Sequence, residues 1–113
     1  MRNATVSGKF YPSDREVLEK EIKDFLDSIE LQDKEIVGAV VPHAGYVFSG
    51  KCASYVYRML ETRKFDTFII LGTNHSGLGN KISLSIDDFD TPLGLVESDI
   101  EIVEEIVKKA EPI

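Results

Sequence analysis

Cysteine, histidine and basic residues are scarce in this sequence of 113 residues. It has one cysteine, two histidines, and 13 lysines and arginines against 20 aspartates and glutamates. A single cysteine excludes a framework of internal disulfides. The net charge of −7 argues against a nucleic-acid-binding surface, because binding to phosphates needs clustered lysine and arginine. Nucleic acid is therefore not an expected partner.

Long apolar runs are missing as well. No run approaches the roughly 20 residues of a membrane-spanning helix, and the N-terminal residues have no signal-peptide core. The sequence also lacks the H-E-x-x-H pattern, the Cys/His spacing of zinc fingers and the Gly-Lys-Ser/Thr ending of a phosphate-binding loop. We expect a cytoplasmic protein without a membrane partner.

The composition that remains is ordinary for a globular protein, with 42% hydrophobic and 29% charged residues. A chain of this length buries roughly two-thirds of the surface that it exposes when unfolded. No repeat, low-complexity tract or linker interrupts it, so residues 1–113 are predicted to form a single α/β domain. Residues 1–12 are predicted to be an extended arm whose aromatic side chains pack on the rest.

Three segments have apolar residues at the spacing of an amphipathic helix. Each follows a serine that can cap its N-terminus, and in the first and third a glutamate three residues later completes a capping box. The predicted N-caps are Ser13, Ser49 and Ser98. The predicted buried residues are Leu18, Ile22, Phe25, Leu26 and Ile29 in the first helix, Ala53, Val56, Tyr57 and Leu60 in the second, and Ile100, Val103, Val107 and Ala110 in the third.

Four further segments indicate β-strands. Residues 36–41 and 67–71 are continuous apolar runs, which are typical of strands covered on both faces in a parallel sheet. Residues 82–86 alternate between apolar and polar, and residues 93–96 indicate a short returning strand. The order of elements predicts a layered α/β domain with a largely parallel or mixed sheet flanked by helices. Residues 111–113 stop where a further αβ unit is expected.

Both histidines follow predicted parallel strands. Residues 36–41, the second helix and residues 67–71 form a β-α-β unit, whose strands end at the edge of the sheet where ligands gather. His43 and His75 lie in glycine-rich turns just past these strands, so we expect them at one site. The neighbouring side chains predicted to line the pocket are Tyr46, Asn74 and Ser76.

The spacing leaves three interpretations of this pair open. Two imidazoles on adjacent loops can hold an Fe, Cu or Zn ion, can act as acid and base without a metal, or can be polar residues satisfied in separate loops. A catalytic metal site usually needs three protein ligands. Cys52 is interpreted as a small packed residue rather than a third ligand or a nucleophile. The acidic residues interpreted as a solvated turn rather than a cation site are Asp87, Asp88 and Asp90.

Four separated segments resemble the signature segments of the Memo family. They are RNATVSGKFYP at residues 2–12, VPHAGYVFSG at residues 41–50, ILGTNHSG at residues 70–77 and DTPLG at residues 90–94. That family is similar in fold to the class III extradiol ring-cleaving dioxygenases, which use non-haem Fe(II). Memo-like chains are more than twice as long. The resemblance therefore implies the N-terminal portion of a longer domain, with an incomplete dioxygenase-like fold.

The same resemblance implies a role for both histidines. His43 and His75 become metal ligands and catalytic residues, with Fe(II) as the cofactor and Cu or Zn as alternatives. The third ligand of the family is a cysteine near its C-terminal end, and Cys52 does not occupy that position.

Three functions remain open under the resemblance. The first is an Fe(II)-dependent, oxygen-using reaction on a small aromatic substrate. The second is a non-enzymatic module that binds a metal, a small molecule or a peptide in the same pocket. The third is an inactive portion of the fold that buries its open edge by self-association, which makes a homo-oligomer the expected state.

Overall fold

Three helices and one hairpin make up the regular structure of residues 1–110, the part of the chain that the computed structural model describes. The elements are α1 Arg15–Asp27, α2 Tyr46–Leu60, β1 Phe89–Thr91, β2 Gly94–Val96 and α3 Ile100–Lys109. The chain therefore mixes α and β structure, as predicted. The αβ unit expected from residue 111 onward lies outside the described residues. No helix within residues 1–110 is long and apolar enough to cross a membrane.

The helices begin at different residues from those predicted. Asp14 caps α1 by accepting a hydrogen bond from the Val17 amide at 3.0 Å, so Ser13 is not the cap. Asp99 caps α3 in the same way, one residue after the predicted Ser98. Aspartate and serine are nearly equal as N-caps, so the pattern alone could not choose between neighbours.

Helix α2 begins at Tyr46, well before the predicted cap at Ser49. Gly45 is the residue at its N-cap position, and Ser49 lies inside the first turns. The Ser49 hydroxyl donates to the carbonyl oxygen of Ala44 at 2.7 Å. Ser49 therefore bonds to the residues that precede α2 and is not its N-cap.

The core lies between α1 and α2. The predicted apolar stripe of α1 is confirmed, since Leu18 is only 3% exposed and Ile29 just beyond the helix is 6% exposed. The predicted stripe of α2 is wrong in part. Ala53, Val56 and Leu60 are half-buried, but Tyr57 is 51% exposed. The residues of α2 that are buried are Ser49, Gly50 and Ser54. Small residues are buried because the Phe25 ring reaches the α2 backbone. A Cβ atom added at Gly50 would lie 2.7 Å from Cε2 of that ring.

The predicted parallel sheet is not formed by the described residues. Their sheet consists of β1 and β2 alone, antiparallel, with Phe89 opposite Val96 and Thr91 opposite Gly94. The returning strand predicted near residues 93–96 is confirmed as β2. Residues 36–41, 67–71 and 82–86 have no strand pairing.

Most residues of these unpaired segments are exposed, so no layer covers both of their faces. Val40 is 97% exposed and Leu71 is 94% exposed. An apolar run becomes a strand of a parallel sheet only where neighbours pair with its backbone and layers cover both faces. The surface area of 9412 Å² exceeds the roughly 6,200 Å² expected for a folded monomer of this mass by about 3,000 Å².

The N-terminal arm joins the hairpin to α2. The predicted extended conformation is wrong in part, because residues 5–6 and 8–10 form turns. Of its aromatic side chains, Tyr11 is half-buried and Phe10 is 48% exposed. The Arg2 amide donates to the Asp88 carbonyl at 2.7 Å, and the Asp90 amide donates to the Arg2 carbonyl at 2.9 Å. At the other end of the arm, the Tyr46 amide donates to the Phe10 carbonyl at 2.8 Å. The hairpin and the first turn of α2 are therefore fixed to the two ends of the arm.

The acidic turn is used in this connection, so its interpretation as a solvated turn is wrong in part. The Asp87 carboxylate pairs with the α-amino group of Met1 at 3.2 Å, and the Asp88 carboxylate accepts the Ser98 amide at 2.9 Å. Asp90 lies in β1.

The contact between Gly50 and Phe25 gives a direct test of the packing. We expect Gly50→Val to lower the free energy of unfolding by about 1–3 kcal/mol, because its side chain would overlap the ring. The measurement is urea unfolding followed by circular dichroism. The matched control is Gly38→Val, where a Cβ atom meets nothing within 4 Å, and its expected change is within about 0.5 kcal/mol. Equal stability of both variants would contradict this packing.

Candidate metal centre

The two histidines meet although the strands that precede them are unpaired. Nε2 of His43 lies 3.1 Å from Nε2 of His75. The ring centroids are 5.2 Å apart, and the ring planes are inclined at 56°. Both side chains are exposed. The two histidines thus form a contacting pair at the surface.

The distance between the two ring nitrogens fits shared coordination of one ion. Metal–imidazole bonds of about 2.0–2.1 Å place two neighbouring nitrogens about 2.8–3.0 Å apart on an octahedral ion and about 3.3–3.4 Å apart on a tetrahedral one. The observed 3.1 Å lies between these values. The same separation suits a hydrogen bond in which one neutral ring donates and the other accepts, which is the arrangement needed for acid–base work.

No third ligand completes the pair among residues 1–110. In that part of the chain no group of three or more His, Cys, Asp or Glu side chains is placed to hold a metal ion. Cys52 is exposed on α2, so its interpretation as a packed core residue is wrong. Helix α2 has apolar residues on several sides, so the sequence did not determine whether the side that carries Cys52 is buried.

The His43 turn is held in place by contacts with α2 and with the arm. The Ser49 hydroxyl donates to the carbonyl of Ala44, the residue after His43, and also approaches the Gly45 carbonyl at 3.3 Å. Ser49 is only 7% exposed. A Cβ atom at Gly45 would lie 3.5 Å from the Phe10 carbonyl oxygen, so the turn rests directly on the arm. Sequence reasoning missed this role of Ser49, because a serine in that position is also a good cap.

The His75 loop is organised by its own polar side chains. Oδ1 of Asn74 accepts from the Ser76 hydroxyl at 2.9 Å and from the Gly77 amide at 3.1 Å. Nδ2 of Asn74 donates to the Leu78 carbonyl at 2.9 Å. Gly77 has φ of +66°, a conformation that favours glycine. The polar side-chain atoms of Asn74 and Ser76 thus form hydrogen bonds within the loop.

Tyr46 packs against the arm. Its ring centroid is 5.6 Å from that of Tyr11, and its amide donates to Phe10 as described above. Burial is the main cause that raises the pKa of the Tyr46 phenol, and the neighbouring Tyr57, Tyr11 and Glu21 raise it further. The phenol is therefore a neutral hydroxyl at physiological pH.

The segment that leads to His75 is anchored at its beginning. The Thr67 hydroxyl donates to the Asp99 carboxylate, which also caps α3. The hydrogen bond from Thr67 is the main cause that lowers the pKa of Asp99, and the one from the Ile102 amide lowers it further.

Two shallow grooves follow α1, one near Lys51 and one near Leu93, and neither is lined by a histidine.

Comparison with known proteins identifies the family. The family described as Memo-like protein matches residues 2–113. The chain belongs to the Memo family. It is similar to MEMO1 family proteins of Methanosarcina barkeri, with 46% identity over 104 residues, and of Aquifex aeolicus, with 44% identity over 110 residues. A MEMO1 family protein of Thermococcus kodakarensis is 42% identical over 113 residues.

The matches cover most of this chain but a minor part of each relative. They span 92% of this chain and 38% of the Methanosarcina barkeri protein, 96% and 40% for Aquifex aeolicus, and 96% and 38% for Thermococcus kodakarensis. This Memo-family chain thus spans about two-fifths of the length of these curated relatives.

Proposed function

We propose that this chain supplies two imidazole ligands, His43 and His75, to the metal centre of a Memo-family protein. The observation that carries the proposal is the 3.1 Å separation of the two Nε2 atoms, which come from loops 32 residues apart in the sequence. Imidazole nitrogens are common metal ligands, and this spacing suits two ligands of one ion as well as it suits a hydrogen bond between the rings.

The donor set narrows the choice of ion. Imidazole suits Fe, Cu and Zn, whereas Mg and Ca prefer oxygen ligands. We keep Fe(II) as the first candidate, with Cu and Zn as alternatives. When bound, such an ion supplies Lewis-acid or redox chemistry. The chain's own contribution is to hold two ring nitrogens in place, with the Ser49 contacts on one side and the Asn74 contacts on the other.

Metal binding requires less of these residues than catalysis does. A dioxygenase-like reaction on a small aromatic substrate needs an enclosed pocket, and the grooves in the described residues lie along α1. A binding role needs only the paired imidazoles and a further ligand. The dioxygenase-like role is the more demanding proposal, because both the pocket and the third ligand would have to come from outside residues 1–110.

Metal titration of the purified chain tests the proposal. We expect wild type to bind Fe(II), Cu(II) or Zn(II) at one site by calorimetry, and His43→Ala and His75→Ala each to lose about 100-fold or more in affinity, since even supporting residues of metal sites are worth about 10–100-fold.

The matched control is Cys52→Ser, which removes the one exposed thiol and leaves both imidazoles in place. Its affinity should equal that of wild type. Unchanged affinity in either histidine variant would overturn the proposal, and so would binding that depends on Cys52 alone.

We also propose that this chain self-associates, on the observation of about 3,000 Å² of surface beyond the amount expected for a folded monomer. Obligate interfaces bury about 2,000–5,000 Å² in total, or about 1,000–2,500 Å² on each partner, so a second copy would cover a large part of the excess. Residues 36–41 and 67–71 would form the contact, because they combine apolar side chains with unpaired backbone groups.

Light scattering over a range of concentrations tests self-association. We expect wild type to be a dimer or larger, and Val40→Lys to shift it toward monomer because the lysine falls in an exposed apolar run. The control is Val17→Lys on α1, also exposed, which should keep the oligomer. A wild-type chain that stays monomeric at all concentrations contradicts this second proposal and leaves the metal proposal untouched.

A further inference from the structure

The loop that carries His75 has almost no packing to hold it. Cβ atoms added at Gly72, Gly77 or Gly79 would meet nothing within 4 Å. Residues 71–80 are all exposed. The backbone itself gives one short hydrogen bond there, from the His75 amide to the Thr73 carbonyl at 3.1 Å. Something other than a core must therefore define the shape of this loop.

The Asn74 side chain is the group that closes it. A primary amide offers two donors and one acceptor oxygen, and Asn74 uses both ends. Its nitrogen binds the Leu78 carbonyl, while its oxygen binds the Ser76 hydroxyl and the Gly77 amide. The Ser76 oxygen in turn accepts the Leu78 amide at 3.2 Å. His75 lies inside the ring of contacts that joins residue 74 to residue 78.

The His43 turn is fixed by a different means. Ser49, buried at 7% exposure, holds the carbonyls of Ala44 and Gly45, and the arm lies against Gly45. That turn belongs to the packed part of the molecule. Of the two imidazoles, His75 is therefore the one whose position depends on a few local hydrogen bonds.

We propose that Asn74 is the positioning residue of the site: its side-chain amide closes the loop over residues 74–78 and so places the His75 ring against the His43 ring. Asn74 itself does not touch the His43 ring or bind the ion. The part of this inference that concerns metal affinity rests on the proposed function, whereas the ring contact in the metal-free chain does not.

The variant Asn74→Ala removes all three contacts at once, and the matched control is Asn80→Ala. Asn80 lies in the same exposed loop, and its side chain makes no hydrogen bond to the described residues. Circular dichroism first establishes that both variants keep the wild-type helix content, which is expected because α1 and α2 pack away from this loop.

The first measurement uses the metal-free chain. Nuclear Overhauser effects between the two imidazole rings should be present in wild type and in Asn80→Ala, and lost or strongly reduced in Asn74→Ala. A wild-type ring contact in Asn74→Ala would overturn the inference, and so would equal losses in both variants, since these would show that any change in the loop has the same effect.

The second measurement is Cu(II) affinity with the accompanying visible absorption spectrum. We expect Asn74→Ala to bind about 10–100-fold more weakly with an altered spectrum, and Asn80→Ala to match wild type. Wild-type affinity and spectrum in Asn74→Ala would overturn the positioning role while leaving the proposed function standing. Absence of Cu(II) binding in wild type, together with loss of the ring contact in Asn74→Ala, would remove copper as the ion and support the positioning role.

Discussion

The close approach of α1 and α2 at Gly50 is the constraint on which the rest of the described structure depends. The missing side chain lets the Phe25 ring reach the α2 backbone, and the two helices then enclose the small core that contains Leu18. Helix α2 begins at Tyr46, about one turn before Gly50. The arm binds that start through the Phe10 carbonyl, and so the turn that presents His43 has a defined position.

The two halves of the candidate site are therefore unequally supported. The His43 turn is continuous with the core, whereas the His75 loop stands apart from it and is shaped by Asn74. The four segments that resemble Memo signatures are physically linked through this arrangement. The arm pairs with the hairpin at Phe89, the arm also holds α2 at Tyr46, and the ring of His75 reaches the turn from the other side. These contacts bring the four separated segments into one connected part of the structure.

Features set by residues close together in the sequence were predicted well, and features that depend on distant residues were not. Helices α1 and α3 were located to within a residue or two, because their periodicity and caps act over a few positions. The parallel sheet was wrong for residues 1–110, since a strand such as residues 67–71 needs partners that local pattern cannot supply. The most buried face of α2 was also missed. Its apolar residues point in several directions, and the Phe25 ring packs against Gly50, whose burial no apolar pattern indicates.

The meeting of the two histidines was expected from the β-α-β pattern, and it occurs without the sheet from which it was argued. The central claim is that both rings bind one ion, and a double-mutant cycle on metal affinity tests it most directly. If they share the ion, the double variant of His43→Ala and His75→Ala should bind scarcely more weakly than either single variant, so the two losses are strongly non-additive. Independent and additive losses would contradict the account.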